Sequence, residues 1–244
     1  MRYYIPNNII SIAHRGYSAK YRDNSLAAFK NVGKKGFQMM ELDIQLSKDN
    51  EIVICHDLFI KNKPVNEMTT KELKKKGILT LRKFFNYFDS NKHKFYLDMK
   101  GDEKLAHYLF CFLKTYEINT DNVICCSFNM RHIELMKLKI PEIKVGFITY
   151  NKFSIRHLMN ILNDVDYFIP HYQFLDNEII DICHLHNVAV FTYTMDSDAA
   201  FNYIQQFKVD GIVSNYRLFH SKANVFGKMY YYCLLYTSPS PRDS

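Results

Sequence analysis

IAHRGYSAKYRDNSLAAFKNVGKKGFQMMELDIQLSKDNEIVICHD, residues 12–57, is the stretch on which the reading of the fold turns. Three apolar runs each lead into polar chemistry. Ile9-Ile10-Ser11-Ile12-Ala13 runs into His14-Arg15-Gly16, Met39-Met40 into Glu41-Leu42-Asp43, and Ile52-Val53-Ile54-Cys55 into His56-Asp57. Short, nearly continuous apolar runs are the mark of strands buried on both faces, as in a parallel sheet. Between the first two, Asn24-Ser25 stands before Leu26-Ala27-Ala28-Phe29 as a helix start, and Gly36 lies just past the helix end. Glu41 and Asp43 are two residues apart, so on a strand both project from one face. A parallel barrel gathers such groups at the C-terminal ends of its strands, around one mouth.

Outward from this stretch the alternation continues. Strand-like runs fall near 9–13, 39–45, 52–55, 94–99, 121–126, 143–148, 166–169, 188–194 and 210–213, with helical patterns near 24–34, 81–89, 102–115, 129–139, 153–163, 176–186 and 198–207. Asp198, before Ala199-Ala200-Phe201, is expected to cap the last of these helices. Ser47-Lys48-Asp49-Asn50 reads as a tight turn between the second and third runs. The expected class is α/β, and 244 residues is close to the ~250 of an eight-stranded barrel. No Pro-, Gly- or Ser-rich linker divides the chain and no repeat is visible, so residues 1–232 are expected to form one domain. Residues 57–80 break the alternation with Lys61-Asn62-Lys63-Pro64 and a short basic helix around 69–77. The last stretch, Cys233 to Ser244, departs from the style of the chain; it resembles translated sequencing-adaptor read-through and is set aside as non-native.

Composition narrows the class further. Hydrophobic content of 48% with 15% aromatic residues excludes a disordered chain. The formal charge of +7 suits a lysine-rich surface, attraction of anionic diesters, or peripheral contact with an anionic membrane. No basic stripe interleaved with aromatics points to nucleic acid. Six cysteines, none in a C-x-x-C pair, argue against a zinc site or a redox dithiol, and Cys55, Cys125 and Cys126 read as packed thiols. The N-terminus lacks an apolar signal core, and no run approaches the ~20 residues of a membrane span, so a cytoplasmic protein is the expectation.

The quoted stretch resembles the N-terminal signature of the glycerophosphodiester phosphodiesterase family, in the phospholipase C-like phosphodiesterase superfamily: HRG, a PENT-like corner before a helix, ExD, a charged turn and HD. Weaker matches follow in order at YLDMK (96–100), CSFN (126–129), FTYTMD (191–196) and VDGIVSNY (209–216), covering most of the chain. The resemblance implies a (β/α)8 TIM barrel in which the segment after the ExD strand folds back beside it, so that nine strand runs give eight barrel strands. It implies a short insertion at 57–80 over the barrel mouth. It implies metal-dependent hydrolysis of small-molecule glycerophosphodiesters to an alcohol and glycerol 3-phosphate.

The residues at that mouth suit the reaction. Cleaving a phosphodiester needs neutralised phosphoryl oxygens, a base for the nucleophile and an acid for the leaving alkoxide. Glu41, Asp43 and Asp98 form a set of hard oxygen donors that repel one another unless a cation sits among them, and oxygen-only ligation favours Mg²⁺ or Ca²⁺ over zinc. His14 and His56 are the general acid/base pair, since imidazole titrates near neutrality; which is acid and which is base stays open. One route has the glycerol 2-hydroxyl attack phosphorus and water open the resulting cyclic phosphate, with the histidines exchanging roles. Arg15 offers a planar fork for phosphate, Lys100 a second cation on the same strand face as Asp98, and Tyr193 a wall for the glycerol pocket.

Departures from the family pattern keep alternatives in view. Arg22-Asp23-Asn24-Ser25 stands for PENT, Asp98 for the usual third Glu, Tyr193-Thr194 for a tryptophan-threonine block, and Ser214-Asn215 for Thr-Asp. Asp-x-Lys at 98–100 also resembles sphingomyelinase D-like phospholipases, which admits phospholipase D-like cleavage of lysophospholipids. A catalytically silent phosphodiester-binding barrel is the remaining alternative. His184 and His186 read as surface residues. Ser127 has no histidine in its own motif to activate it, so it reads as a pocket-wall or strand-end residue.

Overall fold

The computed structural model describes residues 3–221; the stretch 233–244, Cys233 included, lies outside the described residues. In chain order the strands are β1 (Tyr3–Pro6), β2 (Ile10–Ala13), β3 (Met39–Leu46), β4 (Ile52–Ile54), β5 (Phe59–Ile60), β6 (Lys63–Pro64), β7 (Leu79–Thr80), β8 (Lys94–Met99), β9 (Val123–Ser127), β10 (Lys144–Thr149), β11 (Tyr167–Pro170), β12 (Ala189–Met195), β13 (Gly211–Ser214) and β14 (Leu218–Ser221). The helices are α1 (Leu26–Lys30), α2 (Thr70–Lys75), α3 (Leu81–Phe85), α4 (Lys104–Thr115), α5 (Met130–Lys139), α6 (Ile155–Leu162), α7 (Asn177–Leu185) and α8 (Asp198–Ile204). Strands β2, β3 and β8 to β13 pair in parallel, and β2 pairs with both β13 and β3, which closes an eight-stranded barrel. The expected TIM barrel is what forms.

The folded-back segment has a simple cause. β3 runs eight residues where its neighbour β2 runs four, so along the edge that faces β2 its outer end extends past any β2 partner. β4 returns antiparallel along that overshoot, in register from Leu46↔Ile52 to Ile44↔Ile54, and β7 covers β4 in turn. His56 therefore reaches the mouth by descending onto it from above.

Period-two alternation sorts the strand residues into two cores. Ile12, Met39, Tyr96, Ile124, Ile148, Ile169, Phe191 and Val213 fill the barrel interior. Their strand neighbours Ala13, Met40, Leu42, Ile44, Phe95 and Leu97 belong to the larger core that packs the helices. Phe191 and Ile169 need the space that glycine leaves. A Cβ on Gly211 would stand 2.6 Å from the Phe191 ring, and one on Gly146 would stand 2.7 Å from Ile169. Cys55, Cys125, Cys126 and Cys183 are buried free thiols, as expected of packed cysteines.

Side-chain caps hold every α-helix but α4 at its start. Ser25 accepts from the Ala28 N–H at α1. At α8 the cap is Ser197, not the expected Asp198: Ser197 has the extended backbone of a cap and accepts from the Ala200 N–H. Asp198 lies inside the first turn, where its charge favours the helix dipole, and accepts from the Tyr3 hydroxyl at 2.5 Å. The insertion is a small hairpin (β5, β6) followed by α2, which carries a capping box between Thr69 and Glu72. Lys63 ties the hairpin to α2 through Glu72 at 3.1 Å, and Asp49 seats α2 on the β3–β4 turn by accepting from Thr70 N–H and hydroxyl, both at 2.8 Å. Among the described residues no helix is long and apolar enough to cross a membrane.

Candidate active site

The chain leaves β2 through a tight left-handed turn. His14 still donates its N–H to the Ser214 carbonyl on β13 at 3.0 Å. Arg15 and Gly16 then take left-handed φ angles of 55° and 77°. A Cβ on Gly16 would stand 2.9 Å from Ala28, so glycine is required where the turn meets α1. The turn aims the Arg15 N–H at Glu41 Oε2 (2.6 Å) and the Arg15 side chain at Asp23 (3.2 Å) and Asp43 (3.2 Å).

Alternation lifts Glu41 and Asp43 above Met39 on β3, and Asp98 above Tyr96 on β8. The register sets Asp43 beside Asp98. One oxygen from each of Glu41, Asp43 and Asp98 lies within 4.8 Å of the others, and all three residues are buried. Asp43 accepts from the Asn24 side-chain amide at 2.7 Å, and Lys100 Nζ bridges Asp98 (2.7 Å) and Asp43 (3.2 Å). Asp98 Oδ1 is buried without a partner.

These contacts leave three carboxylates against two cations, a surplus of one negative charge in a buried site. Burial, then Asp43 and Asp98, push the Glu41 carboxyl well above its ordinary range. Burial pushes Asp98 up to about 6, with Lys100 opposing and Asp43 adding to it. Burial also works against Asp43, but Lys100, Arg15 and the Asn24 hydrogen bond outweigh it and hold its carboxyl below the usual range. Lys100 is raised to about 12 because Asp98 and Asp43 outweigh its own burial. An orphaned buried oxygen and a surplus negative charge, in an all-oxygen donor set, fit a hard divalent cation. The aspartate at 98, one methylene shorter than the glutamate expected there, still reaches the cluster.

The two histidines sit in unlike surroundings. His14 Nδ1 lies 2.6 Å from Asn215 Oδ1, which also accepts from the Ser18 hydroxyl. An amide oxygen only accepts, so Nδ1 carries the proton and Nε2 is left with a lone pair. Burial, then the Arg15 charge, lowers the His14 pKa to about 4. His56 is half-buried at the rim, with Nδ1 2.9 Å from the Asp57 carboxylate. Its segment is pinned by Gln45, whose amide donates to the Cys55 and Asp57 carbonyls at 2.8 and 2.9 Å.

All eight residues singled out in the sequence line one cavity of about 110 Å³. Tyr193 stands there as a wall, its hydroxyl donating to the Thr149 carbonyl at 3.0 Å, and the Tyr193–Thr194 peptide is cis. Asn24, Gln45 and Asn215 were not among the eight. Gln45 was within reach, since 41, 43 and 45 share one strand face, whereas Asn215 meets His14 only through barrel closure. Ser127 does have a histidine partner, His132 five residues on, at 2.9 Å. Both are fully buried and tied to the Met99 and Asp102 carbonyls, so the pair pins strand ends together. His184 is spent on Asp210 and His186 on the Ile182 carbonyl.

Comparison with known proteins agrees with this geometry. The sequence matches the glycerophosphoryl diester phosphodiesterase family over residues 14–98 and 81–217. It is 26% identical over 230 residues to the glycerophosphodiester phosphodiesterase of Caldanaerobacter subterraneus, covering 84% of this chain and 93% of that protein. The fold is similar to the crystal structure of glycerophosphodiester phosphodiesterase from Thermotoga maritima, with a TM-score of 0.74 at 24% identity over 92% of this chain and 100% of that one. It is also similar to an Oleispira antarctica phosphodiesterase solved with its product sn-glycerol-3-phosphate, with a TM-score of 0.75 at 22% identity, covering 85% and 93% of the two chains.

Proposed function

We infer the function from one premise: this chain belongs to the glycerophosphoryl diester phosphodiesterase family. It hydrolyses glycerophosphodiesters to an alcohol and glycerol 3-phosphate. The observation that carries this reading is the convergence of two histidines and three carboxylates on one small cavity.

Glu41, Asp43 and Asp98 would hold a divalent cation, Mg²⁺ or Ca²⁺. Such an ion supplies positive charge to a phosphoryl oxygen and offsets the repulsion within the triad. Arg15 and Lys100, each anchored on a carboxylate, present the remaining positive charge to the phosphate. His14, neutral and with Nε2 free, takes the proton of the attacking glycerol 2-hydroxyl. As the new O–P bond forms and the bond to the leaving group breaks, His56 gives its proton to the departing alkoxide. Water then opens the cyclic phosphate with the roles reversed: His56 accepts the water proton and His14 returns its own to the glycerol oxygen. The Asp57 carboxylate, 2.9 Å from His56 Nδ1, fixes the orientation of the ring.

The test is hydrolysis of glycerophosphocholine by the full chain, with glycerol 3-phosphate detected by a coupled enzyme. Activity is expected to vanish with EDTA, return with Mg²⁺ or Ca²⁺, and be lost in His14→Ala and His56→Ala. A folded, cation-binding protein with no product from this diester, but with product from a lysophospholipid, would overturn the substrate assignment. Silence on both would leave a binding module.

A further inference from the structure

The insertion presents a surface that the reaction does not explain. Leu58 and Phe59 are 49% and 59% exposed, the one adjacent pair of exposed large hydrophobic side chains among the described residues. They stand directly over the mouth. Leu58 lies above Gly101 at the end of β8, and both residues line an open hollow of about 550 Å³ with His56, Met99 and the half-exposed Phe128. On its other side Phe59 lines a second hollow of about 410 Å³ with Arg22, Lys61, Lys76 and, again, His56. Apolar side chains held out in water at the rim of a site call for a partner that can bury them.

Charge narrows that partner. Residues 58–76 hold six lysines, at 61, 63, 71, 74, 75 and 76, against two glutamates, at 67 and 72. This insertion of 19 residues thus supplies four of the seven net positive charges of the chain. All six lysines are exposed, and among the described residues only Lys63 has a carboxylate partner, Glu72. The acids nearest the apolar pair are already engaged, Asp23 with Arg15 and Asp57 with His56. Lys71, Lys74 and Lys75 share one face of α2 and continue the positive field along the insertion. A polyanion such as nucleic acid answers the lysines but offers no apolar phase for Leu58 and Phe59. A neutral bilayer answers the apolar pair alone. Anionic phospholipid answers both.

We propose that residues 58–76 form a docking surface for an anionic phospholipid bilayer, with Leu58 and Phe59 entering the headgroup layer and the lysines, Lys61 and Lys76 foremost, meeting lipid charge. Docked in this way, the mouth opens onto the membrane, where diesters derived from phospholipid arise. The inference concerns binding and stands whichever diester is cleaved.

The experiment is sedimentation of the full chain with vesicles of phosphatidylcholine alone and of phosphatidylcholine mixed with phosphatidylglycerol, at low and high salt. Binding is expected to the mixed vesicles only, and to weaken as salt rises. A lysine near an anionic surface strengthens binding about five-fold, so Lys61→Glu with Lys76→Glu should weaken it by about 25-fold or more. Leu58→Ser with Phe59→Ser should weaken it about ten-fold while keeping the salt dependence. Thermal melting and turnover of glycerophosphocholine, expected to match the parent, establish that each variant is folded. Equal binding to neutral vesicles, variants that bind as the parent does, or capture by heparin with none by vesicles would each overturn the proposal.

Discussion

The two halves of the barrel mouth are built from the same strand periodicity and end in opposite chemistry. On the side of β2, β3 and β8, inward positions climb from Ile12 to His14, from Met39 to Glu41 and Asp43, and from Tyr96 to Asp98 and Lys100. On the side of β10 to β13 they climb from Gly146 to Ile148, from Tyr167 to Ile169, from Phe191 to Tyr193, and from Gly211 to Val213. The first half carries buried charges, one orphaned oxygen and a surplus of carboxylate. The second is an apolar and aromatic wall whose polar atoms are paired within the protein, as at Tyr193 and Thr192. Electrostatic stress is thus confined to the half where chemistry is expected, and packing is completed in the half where it is not. Substitutions in the charged half should cost activity and spare stability, and those in the apolar half the reverse.

The sharpest test of this division is the histidine pair. His14→Ala and His56→Ala should each lower kcat by about 10² to 10⁴, the usual worth of a general acid or base. Far-UV melting of both variants should stay close to the parent. A loss of activity that tracks a loss of fold would break the comparison. Glu41→Gln separates function from stability in the other direction. Removing one of three crowded carboxylates should raise the melting temperature of the cation-free protein, because Gln keeps the acceptor for the Arg15 N–H and sheds the repulsion. The same change should abolish turnover and the rise in melting temperature that Mg²⁺ or Ca²⁺ gives the parent through linkage.

Asn215→Asp tests the electrostatics of the first step. The carboxylate would sit 2.6 Å from His14 Nδ1, where the parent has an amide. An opposite charge favours the imidazolium, so the His14 pKa rises from about 4. A base with a raised pKa is protonated, and silent, over more of the acidic range. The acid limb of the kcat/KM profile should therefore move to higher pH by about one unit or more. An unmoved limb would show that His14 is not the base.

Much of this was legible in sequence because the chemistry lies at strand ends and strand ends follow from apolar runs. The runs before His14, Glu41 and His56 placed those residues at one mouth, and period two placed Glu41 with Asp43. What stayed hidden was set by geometry that no local pattern encodes. Asn215 meets His14 across 201 positions because β13 closes against β2, and Asn24, taken for part of a helix start, turns inward with φ 53° to hold Asp43 while Ser25 does the capping. The cap of α8 was misplaced by one residue for a related reason. Ser197 and Asp198 are both able caps, and the extended backbone that decides between them arises where β12 hands over to α8.

In the apolar half, Gly211→Ala is the stability counterpart of the histidine variants. The added methyl would meet the Phe191 ring at 2.6 Å inside a close-packed barrel, and the ring cannot retreat because the Tyr167 ring packs against it, tilted 45° with centroids 4.7 Å apart. Overpacking of this kind costs about 1–3 kcal/mol. Chemical denaturation should show a lower midpoint, and the protein that remains folded should turn over with a kcat near the parent's.

The smallest effect belongs to the residue where the two halves meet. Tyr193 faces the cavity, touches Phe128 edge-on at 6.0 Å and spends its hydroxyl on the Thr149 carbonyl at 3.0 Å. Were the hydroxyl a proton donor in the reaction, Tyr193→Phe would lower kcat as steeply as the histidine changes do. The hydrogen bond to β10 and the upward shift of its pKa by burial argue that it is a wall. Removing the hydroxyl then costs one hydrogen bond, about 1 kcal/mol of stability, and leaves the ring in place. The expected outcome is a slightly lower denaturation midpoint, an unchanged kcat and a KM within about two-fold of the parent. A kcat loss of ten-fold or more would carry the reactive part of the mouth across to β12 and dissolve the division between its halves.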